Sequence, residues 1–208
     1  YTTPRSEADE VRFLSGVTFC SESGAHNTTD TGDCSDVIIT NGMPIAVMIE
    51  NRNTRSKDYS GFVDTPRPSH ADYTALLRFG SECEIRGGGH FSGRLTAPIC
   101  ALGFICKKLL ESKGIYIGAH LLRVGNESDL RFDPVNVSKK DFDAVAAEQF
   151  PVIDSGSSER MKKVIADAMS SGDSVGAVVE CAVTGIAAGF GDPLFEGVEN
   201  RVSHAVFA

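Results

Sequence analysis

Between Ile99 and Leu110 the apolar residues do not keep to one stripe. Ile99, Leu102, Phe104, Ile105, Cys106 and Leu109 are spread round the whole circumference of the helix this stretch predicts. A helix lying on the surface of a soluble protein is apolar along one face only, so one that is apolar all round calls for cover on two sides. Thr96 is its candidate N-cap, Pro98 stands where a first turn accepts proline, and Gly114 ends it. Such a segment belongs in a layered α/β architecture.

Strand and helix signals fill in the layers. Val11–Thr18, Pro44–Glu50, Ile115–Val124 and Val175–Thr184 predict strands. A loop excursion over 21–41, rich in Ser, Gly, Asn and Asp, contains one short strand at Val37–Ile39. Pro68 opens a helix that reaches Phe79 and stops at Gly80; Lys139–Phe150 holds a short one. From Ser158 a cleaner amphipathic helix places Met161, Val164, Ile165, Ala168 and Met169 at helical spacing, and Pro193–Phe207 predicts another. Two strand–helix–strand passages suggest an approximate internal duplication, and residues 1–208 are expected to form a single core.

Composition excludes several classes. A chain of 208 residues is long enough to bury roughly 70 % of its unfolded surface, and 41 % hydrophobic residues are too many for disorder. No apolar run approaches the ~18 residues of a membrane span, and the first residues carry no secretory pattern, so a cytoplasmic location is expected. The opening Tyr1-Thr-Thr-Pro-Arg5 suggests the interior of a longer design. Six cysteines without a Cys-x-x-Cys pair or zinc-ligand spacing are expected to be reduced structural thiols, with no metal site. A net charge of −8 argues against nucleic acid as a general partner.

Against that acidic background, residues 55–94 concentrate cations: Arg55, Lys57, Arg67 and Arg94, with His70, His90 and the triple glycine 87–89. Guanidinium forks match phosphate and carboxylate, so one reading is a clamp for a multiply anionic ligand; the other is a set of solvated surface charges. His70, near a helix start beside arginine, can give a proton to a phosphate leaving group; a helix-terminal histidine bonded to backbone is the alternative. Gly87-Gly-Gly89 lacks the Gly-Lys-Ser/Thr of a P-loop and the spacing of a dinucleotide fingerprint, so it predicts only an extended backbone that comes close to something.

Taken together, Tyr1-Thr-Thr-Pro-Arg5, Leu14-Ser-Gly-Val17, Ile49-Glu-Asn-Arg-Asn-Thr-Arg-Ser-Lys-Asp-Tyr59, Arg67-Pro-Ser-His-Ala-Asp72, Arg86-Gly-Gly-Gly89, Ser174-Val-Gly-Ala-Val-Val-Glu180 and Gly189-Phe-Gly-Asp-Pro193 resemble, in order, the core of the chorismate synthases. The resemblance implies a β-α-β sandwich with helices packed between antiparallel sheets, assembled as a homotetramer. It implies a lyase of the shikimate pathway that converts 5-enolpyruvylshikimate 3-phosphate into chorismate by 1,4-elimination of phosphate, with reduced FMN, no net redox change, and NADP as an associated nucleotide. Position by position, His70 matches the proton-donating histidine. Arg67, Ser92 and Arg94 match substrate-anion contacts, Arg55 joins them as a further cation, and His90, Phe91 and Ser92 fall where FMN binds. His90, Gly93 and Leu95 depart from the commoner Arg, Ala and Glu, and the 21–41 excursion is longer than the family connection. Segments of the family pattern are expected before Tyr1 and after Ala208, so these residues alone are expected to be inactive. The competing reading is a non-catalytic remnant that binds a phosphorylated anion.

Overall fold

Gly16 divides what the alternating pattern predicts as one strand. Its φ is 84°, and a Cβ there would stand 2.6 Å from both Ile45 Cα and the Pro44 carbonyl oxygen, so the chain turns where only glycine fits. β1 (Val11–Ser15) and β2 (Val17–Cys20) consequently join different sheets. β1 pairs antiparallel with β5 (Ala46–Ile49), Val11 opposite Ile49, whereas β2 lies between β3 (His26–Asn27) and β4 (Val37–Thr40). The structure is a computed structural model in which residues 9–20, 26–27, 37–51, 61, 65–80, 83 and 86–207 are described. Most of the 21–41 excursion lies outside the described residues.

The chain divides into two compact units, Tyr1–Phe104 and Ile105–Ala208. In the first, α1 (Asp72–Phe79) begins after Ala71 rather than at Pro68, because Ser69 takes a φ of 58° that no helix accommodates. Gly80 closes it as predicted, donating its N–H to Leu76 O at 2.8 Å. The triple glycine is not extended: residues Arg86–Phe91 wind into a 3-10 turn, followed by a second at Gly93–Leu95. α2 (Thr96–Glu111) then spans the division between the units. Its extent is close to that expected, although Thr96 is its first residue and donates its hydroxyl to Gly93 O rather than capping it. None of its side chains is buried; Ile99, Leu102, Phe104 and Leu109 each leave 59–67 % of their surface open. Two-sided cover for this helix is not supplied by the described residues.

The second unit holds the better core. β6 (Tyr116–Val124) is the central strand, antiparallel to β7 (Glu127–Ser128) and β8 (Ala177–Thr184). α3 (Lys139–Ala146) starts at Ser138, whose N–H and hydroxyl both donate to Asp141 Oδ2, at 2.9 and 2.7 Å. α4 (Ser155–Ser170) starts before the predicted Ser158, because Asp154 caps it by accepting from the N–H groups of Gly156 and Ser157. The two helices cover the β6 face that carries Gly118, His120 and Val124. Val124, Phe150, Val152 and Met161 form one apolar cluster, and Phe132, Phe142 and Val145 form another. α5 (Val198–Val206) is shorter than the Pro193–Phe207 pattern, since Phe195 takes a φ of 59°. Helices mixed with small antiparallel sheets make the fold α+β. Among the described residues no helix is long and apolar enough to cross a membrane.

Candidate functional site

The turn that precedes α1 is built on one carboxylate. Asp72, the first residue of the helix, is 4 % exposed and accepts three N–H groups from Arg67. The guanidinium is bidentate, Nε to Oδ2 at 2.7 Å and Nη2 to Oδ1 at 2.8 Å, and the Arg67 backbone N–H reaches Oδ2 at 3.1 Å. His70 closes the group, its Nδ1 2.6 Å from Asp72 Oδ1 and 3.3 Å from Arg67 Nη2. The side chains of Arg67 and His70 remain 23 % and 28 % exposed, so both reach the surface from a buried anchor. The bonds from Arg67 hold the Asp72 carboxyl far below the usual carboxylate range, although burial pushes it up.

On the other side of His70 lies the 3-10 turn. Gly88 is buried with a φ of 91°, and a Cβ built on it would meet Ser92 Cβ at 3.4 Å, His70 Nε2 at 3.8 Å and Ser92 Oγ at 3.9 Å. A Cβ would sit there at ordinary contact distance, so it is the positive φ that calls for glycine at this position. Ser92 in turn caps the next turn, its Oγ accepting from the Arg94 N–H at 3.3 Å. The imidazole and the Ser92 side chain therefore both lie against the Gly88 backbone.

The other predicted residues have different settings. Arg94 directs its guanidinium to the open end of the β1–β5 pair, Nη1 2.9 Å from Asp9 Oδ1 and Nη2 donating to Glu50 O at 3.0 Å. His90 and Phe91 are exposed on the 3-10 turn, Phe91 with 44 % of its surface open. Arg55 and Lys57 lie outside the described residues. The motif alone assigns Asp72 no role; the signal that points to it is a carboxylate five residues after an arginine at a helix start, a position that favours negative charge. A buried histidine, His120, is bracketed by Asp129 and Glu180 in the second unit.

Comparison with known proteins adds identity to this geometry. The family model described as chorismate synthase matches residues 1–208. A chorismate synthase of Lancefieldella parvula is 35 % identical over all of the chain and 53 % of its own length. That of Methanothermobacter thermautotrophicus is 38 % identical over 99 % of the chain and 49 % of its own length. That of Thermococcus kodakarensis is 36 % identical over all of the chain and 51 % of its own length. The chain thus spans about half the length of the curated relatives it matches. A crystal structure of a chorismate synthase superposes with a TM-score of 0.54 at 21 % identity, covering 89 % of this chain and 48 % of that one, a likeness of fold.

Proposed function

The chain belongs to the chorismate synthase family, and from that premise we propose that it carries the proton-donating and anion-holding part of a shikimate-pathway lyase. The reaction is the 1,4-elimination of phosphate from 5-enolpyruvylshikimate 3-phosphate to give chorismate. His70 gives a proton to the departing phosphate oxygen. Arg67, held rigid by its two bonds to Asp72, sets a fixed positive charge beside that oxygen, which needs no reorganisation as charge develops. Ser92, Arg94 and Arg55 complete the proposed contacts to the substrate's phosphate and carboxylates.

Reduced FMN is the cofactor of this reading, with His90, Phe91 and Ser92 as its contacts. The residues fit such a group in one respect: Phe91 offers an exposed aromatic ring. When bound, reduced FMN supplies a reducing centre that each turnover regenerates. The rest of the reading is a cytoplasmic homotetramer, with residues 1–208 as one core of the family pattern.

What supports it most is a single juxtaposition, the Arg67–His70 pair anchored on Asp72 and facing Gly88 and Ser92. The test is an assay of the protein expressed from its complete reading frame, with 5-enolpyruvylshikimate 3-phosphate and reduced FMN under anaerobic conditions. Chorismate and phosphate appear in equal amounts, and Arg67→Lys, which cannot keep the two-pronged grip, raises KM about tenfold. Binding of the substrate without release of phosphate would overturn the lyase reading and favour an anion-binding remnant.

A further inference from the structure

Residues 131–162 of the second unit line a cavity of about 730 Å³, bounded by α3, the start of α4 and the connection that follows β7. That volume suits a small organic molecule. Its floor is apolar, with Phe132 and Val145 from one core cluster and Phe150 and Val152 from the other. Its rim is acidic. Asp133, Asp141, Glu148 and Glu159 stand there against two cations, and both cations are engaged: Arg131 Nη1 lies 3.5 Å from Glu180 Oε1, and Lys162 Nζ lies 3.1 Å from Glu159 Oε1. Among the described residues no cation is within ion-pair distance of Asp133, Asp141 or Glu148. Inside, one hydroxyl lacks a partner. Ser158 is only 8 % exposed and lines the cavity, yet among the described residues its Oγ makes no hydrogen bond, whereas the adjacent Ser157 Oγ donates to Asp154 Oδ2 at 3.1 Å. A polar group so buried ordinarily has a partner.

We propose that this cavity binds a small organic cation, a primary ammonium carried on an apolar body. The ammonium donates to Ser158 Oγ and to the rim, and the body lies on the apolar floor. Asp133 already accepts from Val135 and Asn136, and Asp141 from Ser138, which leaves the Glu148 carboxylate for an outside donor. The chain itself shows the chemistry this surface accepts: Lys162 holds its ammonium 5.5 Å from the centroid of the Phe150 ring while bonded to Glu159. An anion of the same shape meets like charge instead. The N-terminus of α4 does not offset this, because Asp154 already accepts from the N–H groups of Gly156 and Ser157. The cavity belongs to the second unit, whereas Arg67 and His70 belong to the first, so the proposal is independent of the lyase reading.

The probe is phenethylamine, and hydrocinnamate is its control, the same phenylethyl body bearing a carboxylate. Saturation-transfer NMR on the protein of complete reading frame reads which of them binds, and a titration gives the affinity. Phenethylamine receives saturation and hydrocinnamate does not. Ser158→Ala weakens phenethylamine binding about tenfold, the scale of a hydrogen bond to a charged group. Glu148→Lys weakens it about fivefold or more, the scale of one close charge at a surface. Alanine is at home inside a helix, and Glu148 is exposed, so both variants are expected to keep the fold; should Ser158→Ala not fold, Glu148→Lys decides. Three results would each overturn the proposal: no saturation of phenethylamine, equal transfer to hydrocinnamate, or an affinity that either folded variant leaves unchanged.

Discussion

His120 Nε2 lies 2.9 Å from Glu180 Oε2, and the two residues stand directly opposite each other in the antiparallel pairing of β6 with β8. The other ring nitrogen, Nδ1, is 3.2 Å from Asp129 Oδ2, and the ring packs edge-on against Phe132 at 4.6 Å. In this buried triad the ring is thus held between two carboxylates, one at each nitrogen. It ties the connection after β7 to both strands. His120→Ala leaves Asp129 and Glu180 without their shared partner inside the fold. Removing one member of a buried ion pair costs about 3 kcal/mol or more, and chemical denaturation monitored by circular dichroism measures the loss. A loss under about 1 kcal/mol would show that the triad is not a stabilising unit.

The same triad sets an acid limit. Burial pushes the Asp129 carboxyl up, but the N–H groups of Ile153, Asp154 and Leu130 together outweigh it and leave it below the ordinary range. For Glu180, burial is likewise overcome, here by His120 and the Phe132 N–H. A carboxyl lowered in the fold binds its proton more readily when unfolded, so its contribution is full above the unfolded value and disappears as pH falls through the folded one. Thermal midpoints should hold from neutrality to the carboxylate range near pH ~4 and drop below it. Glu180→Gln flattens that drop; a midpoint unchanged down to pH ~3 contradicts the assignment.

Gly118 is where β6 passes under α3. A Cβ built there clashes with Cβ, Cγ and Cδ1 of Phe142, so Gly118→Ala forces ring or strand to shift. Overpacking of this kind costs about 1–3 kcal/mol, read as a lowered denaturation midpoint. A neutral outcome would mean that α3 does not seat on this face.

The two kinds of apolar residue should also differ. Met161 is fully buried among Val124, Phe150 and Val152, and Met161→Ala costs about 2–5 kcal/mol. Leu102, 59 % exposed on α2, gives less than about 0.5 kcal/mol on Leu102→Ser. Equal losses at the two positions would mean that α2 is as enclosed as the core.

Periodicity and punctuation made the second unit readable. The Met161–Met169 spacing, Gly114 and the apolar run at Val175–Thr184 each correspond to an element, although β8 carries no buried residue where the run reads as a buried strand. What misled was local conformation that only the folded chain determines. Val11–Thr18 reads as one strand until Gly16 is seen to pass against Pro44 and Ile45. Pro68 is a sound first-turn residue, but Ser69 at positive φ and the Asp72–Arg67 bonds hold 67–71 as a turn. The all-round apolar character of α2 predicts cover that the described residues do not supply. At the site, the Arg67–His70 pairing follows from the motif, since the two stand only three positions apart. The anchoring by Asp72 and the diversion of Arg94 to Asp9 and Glu50 do not, because both depend on side-chain direction that spacing leaves open.

The most direct test of the account is kcat of His70→Ala in the protein of complete reading frame, with saturating 5-enolpyruvylshikimate 3-phosphate and reduced FMN. If His70 protonates the departing phosphate, kcat falls by about 10²–10⁴-fold. A variant that keeps kcat within about fivefold of wild type would contradict it.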